Sequence, residues 1–275
     1  MKTKFSWIFY CLVSLLLSQS LSAAERFVTN ESNGFVWIQQ GKAYPILVDS
    51  REDKGVVRAV ANLQTDAGKV TGITPEIIHS VAGNRMLIIG SIENSSWIKQ
   101  LLKAGKINAA DLQGKREKYI LQMVKQPMEG VDEAVVIAGS DKRGTIYGIY
   151  ELSQQMGVSP WYFWADVPVE KHDIISIKEG IYTDGEPAVK YRGIFLNDEW
   201  PCLGNWAGDT FGGFNSKFYE TVFELVLRLK GNFMWPAMWN SAFYDDDPMN
   251  GPLADEMGIV MGTSHHEPMG QAQKD

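Results

Sequence analysis

Three observations predict an α/β fold in two parts. Short apolar β-rich runs alternate with helical ones over residues 35–157, the rhythm changes to strand, loop, helix, strand from Lys190, and each later strand ends in polar or aromatic residues. The first part reads as an N-terminal α/β sandwich domain. The second reads as the first strands and helices of a (β/α)8 TIM-type barrel, whose functional groups sit at the carboxyl ends of its strands. A barrel closes with about eight strands. Three fit before Asp275, so a truncated barrel is expected.

Taken in order, Lys2 and Lys4 precede an apolar run over residues 5–17, closed by Ser22-Ala23-Ala24. This is the layout of a secretory signal peptide, with cleavage expected after Ala24 and a periplasmic or extracellular destination. The run is shorter than the roughly 18–20 residues a spanning helix needs. Residues 25–185 then form the expected α/β domain. Strands are predicted over residues 35–38, 46–48, 85–90, 119–124 and 134–138, the third carrying the continuous apolar run Met86-Leu87-Ile88-Ile89. Helices are predicted over residues 56–65, with Val57, Val60 and Ala61 at apolar positions, and over 96–104. A third, over 143–156, places Ile146, Ile149, Tyr150 and Leu152 on one face and stops at Gly157. Residues 158–166 pack aromatics between prolines and read as a connector. The charge-mixed stretch 169–187 reads as a linker, with the boundary near residues 182–187.

Residues 186–275 are the expected start of the barrel. Residues 191–196 form its first strand, opening into Asn197-Asp198-Glu199. Asn215 caps a helix over 217–230, with Phe218, Val222, Leu225, Val226 and Leu229 at helical spacing. A strand over 232–235 opens into Pro236-Ala237-Met238-Trp239-Asn240. After a short helix over 253–257, a strand over 259–262 opens into Thr263-Ser264-His265-His266-Glu267.

Composition narrows the function. Net charge is -7, and loss of Lys2 and Lys4 with no acid takes the mature chain to -9. An acidic surface argues against nucleic acid or an anionic membrane as partner. Of the two cysteines only Cys202 survives cleavage, so no internal disulfide is expected; a chain of 45% hydrophobic content, with eight of its nine tryptophans beyond Ala24, must supply the core.

The chemistry-bearing residues cluster at the predicted strand ends. Asp198 and Glu199 are adjacent carboxylates on one loop, so at most one reaches a substrate while the other caps or anchors. His265, His266 and Glu267 suit hydroxyl recognition or proton transfer. Helical His-Glu-x-x-His and Cys-bearing spacings are absent, so no metal site is expected. Of the indoles flanking Pro236, Trp239 is the expected sugar-stacking ring. Gly212-Gly213 reads as a turn, Asp245-Asp246-Asp247 as a solvated turn before Pro248, and Cys202 as a buried or lightly exposed structural thiol.

The run from Tyr191 through Gly193-Ile194-Phe195-Leu196-Asn197-Asp198-Glu199, with Trp235-Pro236-Ala237-Met238-Trp239 and Thr263-Ser264-His265-His266-Glu267-Pro268-Met269, resembles glycoside hydrolase family 115, the xylan α-glucuronidases. The segment from Gly139-Ser140-Asp141 through Trp161 resembles the non-catalytic α/β domain that precedes the barrel there and in related hexosaminidases. The resemblance implies inverting removal of α-1,2-linked glucuronic acid, or its 4-O-methyl ether, from glucuronoxylan or its oligosaccharides, with no cofactor. Asp198 would be the pocket carboxylate and Glu199 the second candidate. Asn197, His265, His266 and Glu267 would bind substrate, and Trp239 would wall the pocket. The remaining catalytic carboxylates would lie beyond residue 275, so the chain itself is expected to be inactive; a homodimer is compatible with the full-length form. Arg192 and Arg228, on a strand and a helix, are not obvious clamps for a glucuronate carboxylate. A hexosaminidase-like glycosidase and a non-catalytic carbohydrate-binding fragment are the alternatives.

Overall fold

The computed structural model describes residues 25–196, 199–238 and 240–263; the expected signal peptide lies outside them. In chain order the first part contains β1 (Val28–Thr29), β2 (Phe35–Gln39), β3 (Lys42–Ala43), β4 (Ile46–Val48), α1 (Lys54–Thr71), β5 (Ile77–Ile78) and β6 (Arg85–Ser91). It continues with α2 (Ser96–Lys103), β7 (Tyr119–Met128), β8 (Val131–Gly139), α3 (Lys142–Gln155), β9 (Ile174–Ile177) and β10 (Ile181–Tyr182). A six-stranded sheet runs β10-β7-β8-β6-β4-β5, and a four-stranded antiparallel sheet runs β1-β9-β2-β3. In the larger sheet β8, β6, β4 and β5 are parallel, while β7 pairs antiparallel with both β8 and β10.

The sheet is buried on both faces, which is why its strands read as unbroken apolar runs. Leu87 and Ile89 of β6 face the core shared with α1 and α3, while Met86 and Ile88 face Ile98 and Leu101 of α2. Each helix starts on a side-chain cap. Asp53 accepts from Gly55 N, Ser95 from Ile98 N and Asp141 from Gly144 N. Helix α1 differs from expectation. Val56, Val60, Leu63, Ala67 and Val70 form its buried stripe, whereas Val57 and Ala61 face solvent. The charge-mixed stretch expected to be a linker contributes two strands. The four residues Ile174–Ile177 are short enough to be flanked closely by charges, yet β9 sits between β1 and β2.

The second part contains β11 (Gly193–Phe195), α4 (Gly204–Phe211), α5 (Ser216–Arg228), β12 (Phe233–Trp235), α6 (Phe243–Asp246), α7 (Asn250–Met257) and β13 (Val260–Met261). Strands β11, β12 and β13 form a parallel sheet in sequence order, joined by helical crossovers. Asn215 caps α5 by accepting from the amides of Lys217 and Phe218. At Gly193 a β-carbon would lie 1.6 Å from the Phe233 carbonyl oxygen, so only glycine lets the first two strands approach this closely. Two expectations are corrected here. Cys202 is exposed. The Asp245–Asp247 run is not simply solvated: Asp246 accepts from Ala242 N, and Asp247 accepts from Ser216 N and Met249 N, so these carboxylates close backbone turns.

The two parts share one core. Phe218, Val222 and Val226 of α5, with Met234 of β12, cluster with Val60, Ile146 and Ile149. Polar ties run beside it. Tyr147 donates its hydroxyl to Gly231 O at 2.9 Å, and Arg58 pairs with Glu256 at 2.7 Å. Glu117, itself buried, receives Arg143, Arg192 at 2.7 Å and Asn232 at 2.6 Å. Arg228 pairs with Asp66 at 2.8 Å and Glu224 at 2.7 Å. Both arginines doubted as substrate clamps are therefore engaged internally.

Candidate active site

The parallel register brings the carboxyl ends of β11, β12 and β13 to one edge. Leu196 N donates to Trp235 O at 3.0 Å, and Gly262 N donates to Met234 O at 2.8 Å, so the ladder runs one residue past the ends of β11 and β13. Asn197 follows Leu196, Trp239 follows Trp235 by four residues, and His265 follows Gly262 by three. The three segments named from sequence thus leave adjacent strands, whose neighbours lie about 4.8 Å apart. Asn197, Asp198, Trp239, His265, His266 and Glu267 themselves lie outside the described residues, as does the side chain of Glu199. The backbone of Glu199 opens the helical segment Glu199–Leu203 that leads into α4.

Strand alternation sorts the sheet's side chains into two faces. Met234 points into the shared core and is fully buried. The opposite face carries Tyr191, Phe195, Phe233 and Trp235, with Tyr191 51% and Phe195 36% exposed. Their rings pair across the strands: Tyr191 with Phe233 at 5.8 Å, and Phe195 edge-on to Trp235 at 5.3 Å. Two further indoles lie in the stretch between β11 and α5, Trp200 against Phe214 and Trp206 between Trp164 and Phe211. Sequence reasoning favoured Trp239 and passed over Phe195, Trp200 and Trp206. Trp200 was findable, since it directly follows the Asn-Asp-Glu run. Of the four sheet rings only Phe195 and Trp235 lie at the carboxyl ends of their strands; Tyr191 and Phe233 lie at the amino ends. Among the described residues no group of three His, Cys, Asp or Glu side chains could hold a metal ion.

Gly262 keeps this face open. A β-carbon there would lie 2.4 Å from Phe233 Cζ and 2.5 Å from Trp235 Nε1. Gly262→Ala is expected to displace the Trp235 indole at a cost of about 1–3 kcal/mol, the range for overpacking. The Trp235 indole N–H resonance and the urea midpoint should both move; if neither does, the rings are not fixed as described.

Residues 184–275, the strands whose ends form this site, match the model of glycosyl hydrolase family 115. They are a family 115 segment. Residues 38–152 match the glycosyl hydrolase family 67 N-terminus, in agreement with an α/β domain preceding that segment. A solved structure described as a novel family GH115 4-O-methyl-alpha-glucuronidase, BtGH115A, with specificity for decorated arabinogalactans, is 35% identical with a TM-score of 0.75. The match covers 86% of this chain and 30% of that one, so the chain spans under a third of that family 115 enzyme's length. A β-hexosaminidase from Streptomyces plicatus aligns at 12% identity and TM-score 0.49, over 84% of this chain and 43% of its own. A chitobiase from Flavobacterium johnsoniae aligns at 12% and 0.47, over 86% and 33%. No curated protein matches the chain.

Proposed function

We propose that this chain supplies the α/β domain (residues 25–185) and the first barrel strands (186–275) of a secreted glycoside hydrolase that removes glucuronic acid, or its 4-O-methyl ether, from a polysaccharide. The observation that carries the reading is the family 115 match over the three parallel strands whose carboxyl ends lie side by side. In an inverting reaction a carboxylic acid protonates the leaving glycosidic oxygen, while a carboxylate takes a proton from the water that attacks the anomeric carbon. The two carboxyls stand about 6.5–9.5 Å apart to admit that water. Asp198 is the proposed pocket carboxylate and Glu199 the second candidate. Asn197, His265, His266 and Glu267 would bind substrate hydroxyls, with Trp239 as a pocket wall. The proposed linkage is α-1,2 and the proposed polymer glucuronoxylan, with no cofactor. The solved relative acts on decorated arabinogalactans, so both polymers belong in the test.

Glucuronate release should be measured from both polysaccharides, using this chain and a form extended over the remaining length of the solved relative. Release is expected from the extended form, and Asp198→Asn in that form should lower kcat by about 10²–10⁴-fold, as loss of a general acid or base does. Unchanged turnover in a folded Asp198→Asn protein would remove Asp198 from the chemistry. Release of N-acetylhexosamine instead of glucuronate would establish the hexosaminidase-like alternative.

A further inference from the structure

A second concavity lies on the N-terminal domain, formed by the β2–β3 hairpin and the start of β6. It encloses about 550 Å³ and shares no lining residue with the strand ends of β11–β13. That volume falls within the roughly 300–1,000 Å³ of small-molecule sites. The hairpin turns through Gln40 and Gly41, both at positive φ (52° and 76°), which leaves Gln39 directly opposite Lys42. Residues opposite each other in a ladder project from the same side of the ribbon. An amide and an ammonium therefore stand together at the rim. The Gln39 amide nitrogen donates to Ser32 Oγ at 2.9 Å, which orients its carbonyl oxygen. Lys42 is exposed and forms no ion pair among the described residues.

The floor is aromatic and rigid. Trp37 is buried and donates its indole N–H to Tyr44 O at 2.9 Å. The Arg85 guanidinium lies 4.8 Å from the Phe35 ring centre and 5.0 Å from that of Tyr44, and Glu133 anchors it. Stacking and the ion pair remove most of the rotamer freedom that an arginine would otherwise lose on binding. Amides suit sugar hydroxyls, the half-buried Tyr44 ring suits the edge of a pyranose, and the free Lys42 ammonium suits a carboxylate, the Arg85 guanidinium being already paired with Glu133.

We propose that this concavity is a secondary binding site for a uronate-bearing saccharide, which holds decorated polymer on the N-terminal domain away from the strand ends. The choice of a uronate over other hydroxylated anions rests on the proposed activity; the cation-and-amide chemistry of the site does not.

The test is titration of the chain with a glucuronate-decorated xylo-oligosaccharide and with the undecorated oligosaccharide of the same length, followed by calorimetry and by NMR. The decorated probe should bind at least tenfold more tightly, more weakly at high salt, and should shift the Lys42 and Tyr44 resonances. Lys42→Ala and Gln39→Ala, both at the rim, should each weaken it fivefold or more without moving the urea midpoint. Equal binding of the two probes, or binding indifferent to both substitutions, overturns the proposal. Its failure is separable from that of the proposed activity. Lys42-dependent binding in a protein whose extended form releases no glucuronate keeps the site and discards the reaction. Glucuronate release with Lys42-independent binding does the reverse.

Discussion

Arg228→Met should cost the fold about 3–5 kcal/mol, the usual penalty for leaving one partner of a buried ion pair alone. The side chains of Arg228 and Asp66 are 2% and 1% exposed, so solvent cannot take over the abandoned charge. Burial pushes the guanidinium pKa down, but the Asp66 and Glu224 carboxylates outweigh it and hold the group above its ordinary value. The guanidinium also lies over the rings of Tyr150 and Tyr162, at 4.5 and 5.1 Å, so truncation removes packing along with charge. Lys69, 3.6 Å from Asp66, is a partial substitute that keeps the loss at the lower end of the range. Equilibrium urea unfolding measures the effect. The double change Arg228→Met with Asp66→Leu should recover part of it, because Asp66 is then no longer stranded, while Glu224, 18% exposed and still accepting from the Tyr162 hydroxyl, keeps a residual cost. A single-variant loss under 1 kcal/mol would mean that the pair is hydrated.

Glu117→Ala should be nearly as damaging, about 2–4 kcal/mol, discounted because its partners Arg143 and Arg192 remain 28% and 23% exposed. Glu117 is the joint at which β11 and β12 are fixed to the first domain. Arg192 precedes β11, Asn232 precedes β12, and both donate to this one carboxylate. Burial raises the carboxyl pKa, but hydrogen bonds from Asn232 and Arg192 and the charge of Arg143 prevail, holding it below its ordinary value of 4.5. A depressed carboxyl contributes stability that is fully present above its unfolded value and is lost as pH falls through the folded one. Wild-type unfolding free energy should thus lose the Glu117 contribution only below about pH 4.5, and Glu117→Gln should lack that component of the acid slope. Parallel acid slopes in the two proteins would show that Glu117 is not a charged partner in the native state.

Much of the fold was legible because burial on both faces leaves a local mark. Ile46–Val48 and the Met86–Ile89 core of β6 are continuous apolar runs, and Asn215 announces α5 by its type and place. Elements that depend on partners left no such mark. Strands β1, β3 and β5 are two residues long, too short to show a period. Helix α4 carries Gly204 and Gly208 and a tryptophan, a composition that argues against helix until its packing is known. At the site, the pairing of Phe195 with Trp235 follows from the parallel register of two strands some forty residues apart, and the grip of Glu117 on Asn232 spans 115 positions. Residue types suggested where chemistry could occur; which side chains share a face awaited the register.

Helix α5 bears on how such a chain can change over evolutionary time. Its apolar side is committed to Val60 and Ile149 of the first part as well as to Met234 of the second, and its last residue, Arg228, answers a carboxylate 162 positions earlier. Recombination that replaced one part alone would strand Asp66 or Arg228 and bare an apolar flank on both pieces. The two parts therefore behave as one packing unit: a change that keeps the fold must respect both sides of α5, and the α/β domain is bound to the strands it supports.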